Sequence, residues 1–253
     1  MPPLSIVQTW KHRDLADAPR LFAICQPTWV RYHPDWVYVR VDDKDIDDYV
    51  RWCFPTLWKG MWQRYAKGIE RADLFRYLYL FREGGLYADL DFECLRPFDP
   101  LVSSASADVL LGQLSRPDHP EGIPNALMIA RRPRQLFWLL VLEEVRRAVD
   151  AERTVERTGP VAVGRALRSY RSGPPSPSDL AILADLDLEV ASIVDGGVEL
   201  MPQHHVYPIC WMGQQWKRRL FLRLRPHLSH ERVSRIFPRS YAVTYWAHSW
   251  DGP

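Results

Sequence analysis

The sequence predicts an α/β fold, a mostly parallel sheet with helices on both faces. Three observations lead there. Short β-branched and aromatic runs alternate with longer amphipathic ones. No internal repeat sets a solenoid period, and no convincing linker divides the 253 residues, so one domain over 1–253 is expected. At 47% hydrophobic and 25% charged, the chain is ordinary globular material, which excludes collagen-like and disordered classes. Lys+Arg 33 against Asp+Glu 31 leaves a net charge of +2, too balanced for a general nucleic-acid binder.

The elements follow in order. A first strand is expected over 5–10 and a helix over 21–30, stopped by the turn at His33-Pro34-Asp35. Residues 36–41, β-branched and aromatic, read as a second strand. The carboxylates of 42–48 suit a helix N-terminus, where the macrodipole favours negative charge, better than a metal site. A helix over 61–83 is ended by Gly84-Gly85, and 86–92 then alternates like a strand. Further strands are expected over 109–112 and 125–130, with helices over 135–149 and 159–170 and a Pro-rich loop at 171–179.

Four widely spaced cysteines without a C-x-x-C predict free buried thiols rather than zinc or disulfides. No apolar run approaches the ~20 residues that span a bilayer, and the N-terminus lacks the pattern of a signal peptide. A cytoplasmic protein is expected. Trp52, Phe54, Trp58, Met61, Trp62 and Tyr65 crowd one segment; core packing is favoured over an acceptor wall. Residues 217–239 interleave arginines with Leu220, Phe221, Leu222, Leu224, Ile236 and Phe237, a pattern that suits peripheral membrane contact or a solvated amphipathic arm.

Asp89 and Asp91 are the most informative pair. On a strand, residues two apart emerge on one face, so both carboxylates would aim at one point. Like charges held together need a compensating cation or protons, and hard oxygens suit Mn²⁺ or Mg²⁺. A lone D-x-D is common, and the alternative is two incidental acids at a solvated strand end. Asp73 and Arg76, three apart on the preceding helix, either form an exposed pair or border the same cleft.

These residues carry a resemblance. The run Arg71-Ala72-Asp73-Leu74-Phe75-Arg76-Tyr77, followed by Glu83-Gly84-Gly85-Leu86-Tyr87-Ala88-Asp89-Leu90-Asp91, resembles the signature of glycosyltransferase family 32. Ile6 to Lys11, Pro124 to Met128, Thr158-Gly159-Pro160, Val206-Tyr207-Pro208 and Ser249-Trp250 keep the family's order. Through R-A-D, D-L-D and Arg96-Pro97-Phe98-Asp99-Pro100-Leu101, the sequence is most similar to the inositol-phosphoceramide and initiating α-mannosyltransferase type.

The resemblance implies a GT-A fold, Rossmann-like in binding a nucleotide sugar, and a retaining transferase. Asp91 would contact the metal, and Asp89 the metal or the donor. Thr9, Trp10, Asp73, Arg76, Gly85 and Tyr87 would lie on the donor side, and Asn125 would face the donor sugar. Trp10 either stacks on the base or packs in the core. Gly159, Pro160, Ser249 and Trp250 would shape the acceptor side. Relatives place a His five residues before the closing Ser; this chain has Thr244 there and His248 next to Ser249, so either His248 or water completes the metal's ligands. The donor implied is a GDP- or UDP-sugar, mannose first, and the acceptor a glycan or lipid. Same-face attack is preferred over a covalent carboxylate intermediate. A metal-dependent phosphohydrolase and a non-catalytic carbohydrate-binding protein are the alternatives.

Overall fold

The computed structural model describes residues 4–16, 18–210, 212 and 215–247. Its strands are β1 (Ser5–Thr9), β2 (Val37–Val41), β3 (Gly85–Ala88), β4 (Phe92–Cys94), β5 (Val109–Gly112), β6 (Leu127–Ala130), β7 (Val198–Met201) and β8 (Ala242–Thr244). The first helices are α1 (Arg20–Tyr32), α2 (Asp43–Cys53), α3 (Pro55–Lys59), α4 (Gly68–Arg82), α5 (Asp99–Ser104) and α6 (Leu136–Arg147). After them come α7 (Thr154–Arg157), α8 (Pro160–Ser172), α9 (Ile182–Asp185), α10 (Gln203–Val206), α11 (Gln215–Leu224) and α12 (His230–Ile236).

Six strands form one sheet in the order β2-β1-β3-β6-β5-β7, and β4 pairs with β8 in a second, two-stranded one. The β1–β2, β1–β3 and β5–β7 pairings are parallel, whereas β6 runs antiparallel to both neighbours. Mostly parallel is therefore right, with one reversed strand at the centre. Alternate side chains of the central strands are buried on opposite faces, as a covered sheet requires. Val7, Tyr87, Leu111 and Met128 pack with α2, α4, α6 and α8. Ile6, Leu86, Leu110 and Ile129 face Trp29 of α1, Leu101 of α5 and Val206 of α10.

Local chemistry explains the boundaries that were expected. Asp42 caps α2 by accepting from the Asp45 N–H, while the Asp45 side chain accepts from the Asp42 N–H. Gly84, at φ +73°, follows the last turn of α4 in the left-handed conformation that ends helices. The four cysteines are free, and Cys25, Cys94 and Cys210 are buried.

Three expectations need correction. The helix over 61–83 is broken: Met61–Arg64 is a 3₁₀ turn, and α4 starts at Gly68. Buried Trp62 and Tyr65 sit at the break, where the Tyr65 hydroxyl donates to the Val145 carbonyl of α6. The strand over 86–92 ends at Ala88, and Asp89 to Asp91 form a turn closed by Phe92 N–H donating to Asp89 O at 3.1 Å. The chain turns there because Phe92 leaves the main sheet to pair with Thr244. The two carboxylates therefore do not project from one face of a strand. The strand over 125–130 starts at Leu127, after a bend at Asn125-Ala126.

The segment 217–239 is no detached arm. Phe221, Leu222, Leu228, Val233 and Phe237 pack on Leu90, Ile209 and Val243, and Arg225 is buried. In the aromatic segment, Phe54, Met61, Trp62 and Tyr65 are core, but Trp52 is 82% exposed.

Candidate functional site

Parallel β1 and β3 end at the same edge of the sheet, and antiparallel β6 begins there. Thr9, the Asp89–Asp91 turn and Asn125 consequently meet at one edge, the place where open α/β sheets bind ligands. Asp89 is tied down by its N–H donating to Ala126 O at 2.8 Å and its carbonyl accepting from Gln8 Nε2 at 3.1 Å. Its carboxylate accepts from the Tyr87 hydroxyl at 2.7 Å and from Arg76 Nη1 at 3.2 Å. Tyr87 also bonds Thr9 Oγ1, linking the ends of both strands.

Helix α4 lays one polar face against this edge. Asp73 and Arg76 are buried and paired at 3.0 Å, so the pair is not the exposed one that i,i+3 spacing also allows. Asp73 accepts in addition from Asn125 Nδ2 at 2.9 Å and from Thr158 Oγ1 at 2.9 Å. The Asn125 amide donates to the Tyr77 hydroxyl too, and Tyr77 donates to Thr158 O. Arg76 reaches the Asn125 carbonyl at 2.8 Å and lies over the Tyr87 ring, 4.4 Å from its centroid. Burial holds the Asp73 carboxyl above its ordinary value; Arg76, Thr158 and Asn125 act against that rise and the Asp89 charge adds to it.

Two cavities open on this cluster. The first, about 460 Å³, is lined by Thr9, Trp10, Lys11, Asp43, Lys67 and Gly68 among others. The second, about 380 Å³, runs along Asn125, Thr154, Gly159, Pro160, Arg218 and Trp246. Both volumes suit small-molecule ligands. Ile69, Arg76, Asp89 and Asp91 line both, so the cavities join at the charged turn. The Trp10 indole packs edge-on to Phe22 at 4.9 Å, which answers the core alternative in part. Its buried Nε1, however, has no hydrogen-bond partner among the described residues.

Asp91 is 8% exposed, and its carboxylate accepts from the Ala247 N–H at 2.8 Å. Burial, then the neighbouring charge of Asp89, pushes it up to about 7, against which Ala247 and the Thr244 hydroxyl act. Two carboxylates that destabilise each other's charge in a cavity mouth fit a divalent cation by charge and by hard-oxygen chemistry. Among the described residues, no set of three or more His, Cys, Asp or Glu side chains converges on a metal position. Thr244 stands directly beside Asp91, its hydroxyl hydrogen-bonded to that carboxyl, and lines the second cavity.

Of the residues expected from sequence, Thr9, Trp10, Asp73, Arg76, Asp89, Asp91, Asn125, Gly159 and Pro160 line these cavities, and Tyr87 stands behind Asp89. Gly85 is not brought in. It lies at the opposite end of β3, where a Cβ would meet Ser5 O at 2.6 Å, so its role is close packing of β3 on β1. His248, Ser249 and Trp250 lie outside the described residues. Sequence reading missed the parts played by Tyr77, Thr158, Lys67 and Trp246. Tyr77 had a signal, since it follows Asp73 by one helical turn.

The family described as a glycosyltransferase sugar-binding region containing the DXD motif matches residues 19–108. Inositol phosphoceramide mannosyltransferase 3 of Schizosaccharomyces pombe is 32% identical over 126 residues, covering 50% of this chain and 32% of that protein. The initiation-specific alpha-1,6-mannosyltransferase of Candida albicans is 32% identical over 150 residues, 54% of this chain and 38% of the relative. The matched stretches thus span about a third of these relatives' length. Among solved structures, the PaToxG glycosyltransferase superposes with a TM-score of 0.50 at 14% identity, over 75% of this chain and 82% of its own. That likeness is one of fold, the GT-A type. Residues 19–108 therefore match the DXD-containing sugar-binding region of the glycosyltransferases, and the chain is similar over part of its length to the two mannosyltransferases.

Proposed function

We propose that the protein is a retaining hexosyltransferase. It moves a sugar, mannose first, then glucose, galactose or N-acetylglucosamine, from a nucleoside diphosphate to a glycan or lipid-linked acceptor. The observation that carries this reading is the meeting of two cavities at Arg76, Asp89 and Asp91. A donor in the first cavity would present its anomeric carbon to an acceptor in the second.

The residues divide the work. The Trp10 indole lines the first cavity and offers a surface for the base, and aromatic stacking on a base is worth ~1–3 kcal/mol. Lys11 and Lys67 stand on the same wall for the phosphates. Arg76, oriented by Asp73, Asp89 and the Asn125 carbonyl, supplies fixed positive charge where the leaving diphosphate gains negative charge. Asp91 and Asp89 would hold the cation, Mn²⁺ or Mg²⁺, which as a Lewis acid offsets that same charge. Asp73 and Asn125 face the second cavity to bind sugar hydroxyls. Asp73 already accepts from three partners, which leaves it poorly placed to deprotonate an acceptor, and same-face attack with retention is preferred by the resemblance to family 32.

The experiment is calorimetric titration of GDP- and UDP-sugars with and without Mn²⁺, followed by NMR of the product anomer. Metal-dependent donor binding and a retained anomer are expected. Binding that ignores the metal would remove the D-x-D assignment. Release of phosphate without sugar transfer would favour the phosphohydrolase reading.

A further inference from the structure

Helix α11 carries the most unusual surface outside the two cavities. Its inward residues, Phe221 and Leu222, pack into the cluster of Ile209, Val233 and Val243, and the Phe221 ring lies 5.3 Å from that of Phe237. Its outward residues are Trp216, Arg219, Leu220, Arg223 and Leu224, spaced i, i+3, i+4, i+7, i+8. All five are exposed, Trp216 to 64%. A helix facing water normally turns its polar side there. Here the outer face holds three apolar side chains interleaved with two guanidinium groups.

Charge points to the occupant. Residues 215–239 contain eight Lys and Arg and a single acid, Glu231. Arg225 turns inward onto buried Glu93, while Arg219 and Arg223 remain on the exposed face. A second copy of the chain meeting this face about a two-fold axis would set arginines against arginines. An anionic lipid surface instead accepts both features: tryptophan and leucine enter the headgroup boundary, and arginines pair with phosphates. Helix α11 is also continuous with the proposed acceptor side, since Gln215 and Arg218 line the second cavity. Among the described residues no helix is long and apolar enough to cross a membrane, so contact through this helix would be peripheral.

We infer that the outer face of α11 docks on an anionic membrane surface and holds the mouth of the second cavity against it. The docking stands on this surface alone; delivery of a lipid acceptor to the cavity rests on the function proposed above.

Co-sedimentation of the full chain with phosphatidylcholine vesicles, with and without phosphatidylserine, tests it. Binding is expected to require phosphatidylserine and to weaken with salt. Arg219→Glu with Arg223→Glu, and separately Trp216→Ser with Leu220→Ser, should each lower vesicle affinity by at least about tenfold. Unfolding temperature and metal-dependent nucleotide binding should not change, because these side chains are exposed and outside both cavities. Wild-type protein that ignores phosphatidylserine, or variants that bind as wild type does, would overturn the proposal. So would light scattering that shows a dimer dissociated by the same substitutions. Vesicle binding without any nucleotide binding would leave the docking intact and sink the transferase reading.

Discussion

Asp73–Arg76 and Glu93–Arg225 are two buried carboxylate–guanidinium pairs with different fates. In each, acid and arginine are almost equally withdrawn from solvent: 4% and 3% exposed in the first, 0% and 3% in the second. The Glu93 pair is closed on itself. Arg225 donates through two nitrogens, and His230 and the Tyr245 hydroxyl complete the carboxylate, which ties β4 to the chain around α12 and β8. The Asp73 pair is open. Arg76 divides its bonds among Asp73, Asp89 and Asn125, and its charge forms part of both cavity walls. The same carboxylate–guanidinium pairing thus serves as an anchor where every donor ends inside the protein, and as a site where the charge is left facing a cavity.

Substitutions can break this contrast. Glu93→Gln strands a buried guanidinium, and a loss of about 3–5 kcal/mol of stability is expected in chemical denaturation. Nucleotide affinity of the folded fraction should stay close to wild type. An unchanged stability would show that the sealed pair is no anchor.

Asp91→Asn should do the reverse. Its fold should be as stable as wild type or more so, because a buried and repelled carboxyl is neutralised. Turnover should fall about 10²–10³-fold, the cost typical of losing one transition-state charge contact, and Mn²⁺-dependent stabilisation by nucleotide should vanish.

Asp73→Asn sits between these limits. It removes a charge-assisted pair at about 1.5–3 kcal/mol of stability and should weaken donor binding as well. Stability loss without any binding change would place Asp73 with the anchors. Tyr245→Phe, which deletes one of the bonds to Glu93, should cost about 1.5 kcal/mol and leave turnover per folded molecule unchanged.

The smallest effect is a pH dependence at a third buried polar group. His33 accepts from the Phe98 N–H through Nε2 and bonds Trp29 O through Nδ1, an arrangement for the neutral ring. Burial lowers its pKa below the ordinary value of about 6.5. The stabilisation is complete above that value and is lost as pH falls through the lower folded-state value. The unfolding temperature of wild type should therefore drop more steeply on acidification than that of His33→Gln, which keeps a donor and an acceptor. Parallel acid slopes would remove this assignment.

Much of this was readable from local pattern. The α2 cap, the stop at Gly84 and the alternation of strands with helices depend on residues within a few positions of one another. Asp73 and Arg76 were visible as an i,i+3 pair. Their partner Thr158, 85 residues from Asp73, was quoted only as part of a motif, since nothing local says that α4 faces the start of α8. The turn at Asp89–Asp91 was hidden for a different reason. Leu86, Ala88, Leu90 and Phe92 are all buried, so their alternation continues unbroken through the turn, although Leu90 packs in a different cluster from the other three. Trp62 and Tyr65 masked the break before α4 in the same way, being apolar at helical spacing but anchored in the core.

Amino-acid order was enough to place β1, β2, β5, α1, α2, α6 and α8 to within a few residues, to mark Asp73, Arg76, Asp89 and Asp91 as candidates, and to show which family the signature resembles. Such properties arise from interactions between neighbours in the chain, and those survive in any tertiary arrangement. Whether Asp73–Arg76 would be a solvated surface pair or the wall of a cavity, and how two aspartates on a turn come to share one opening, was decided by strand order and helix packing. These bring residues from 9 to 247 to one sheet edge, and burial, which sets the strength of every charge there, exists only after that packing.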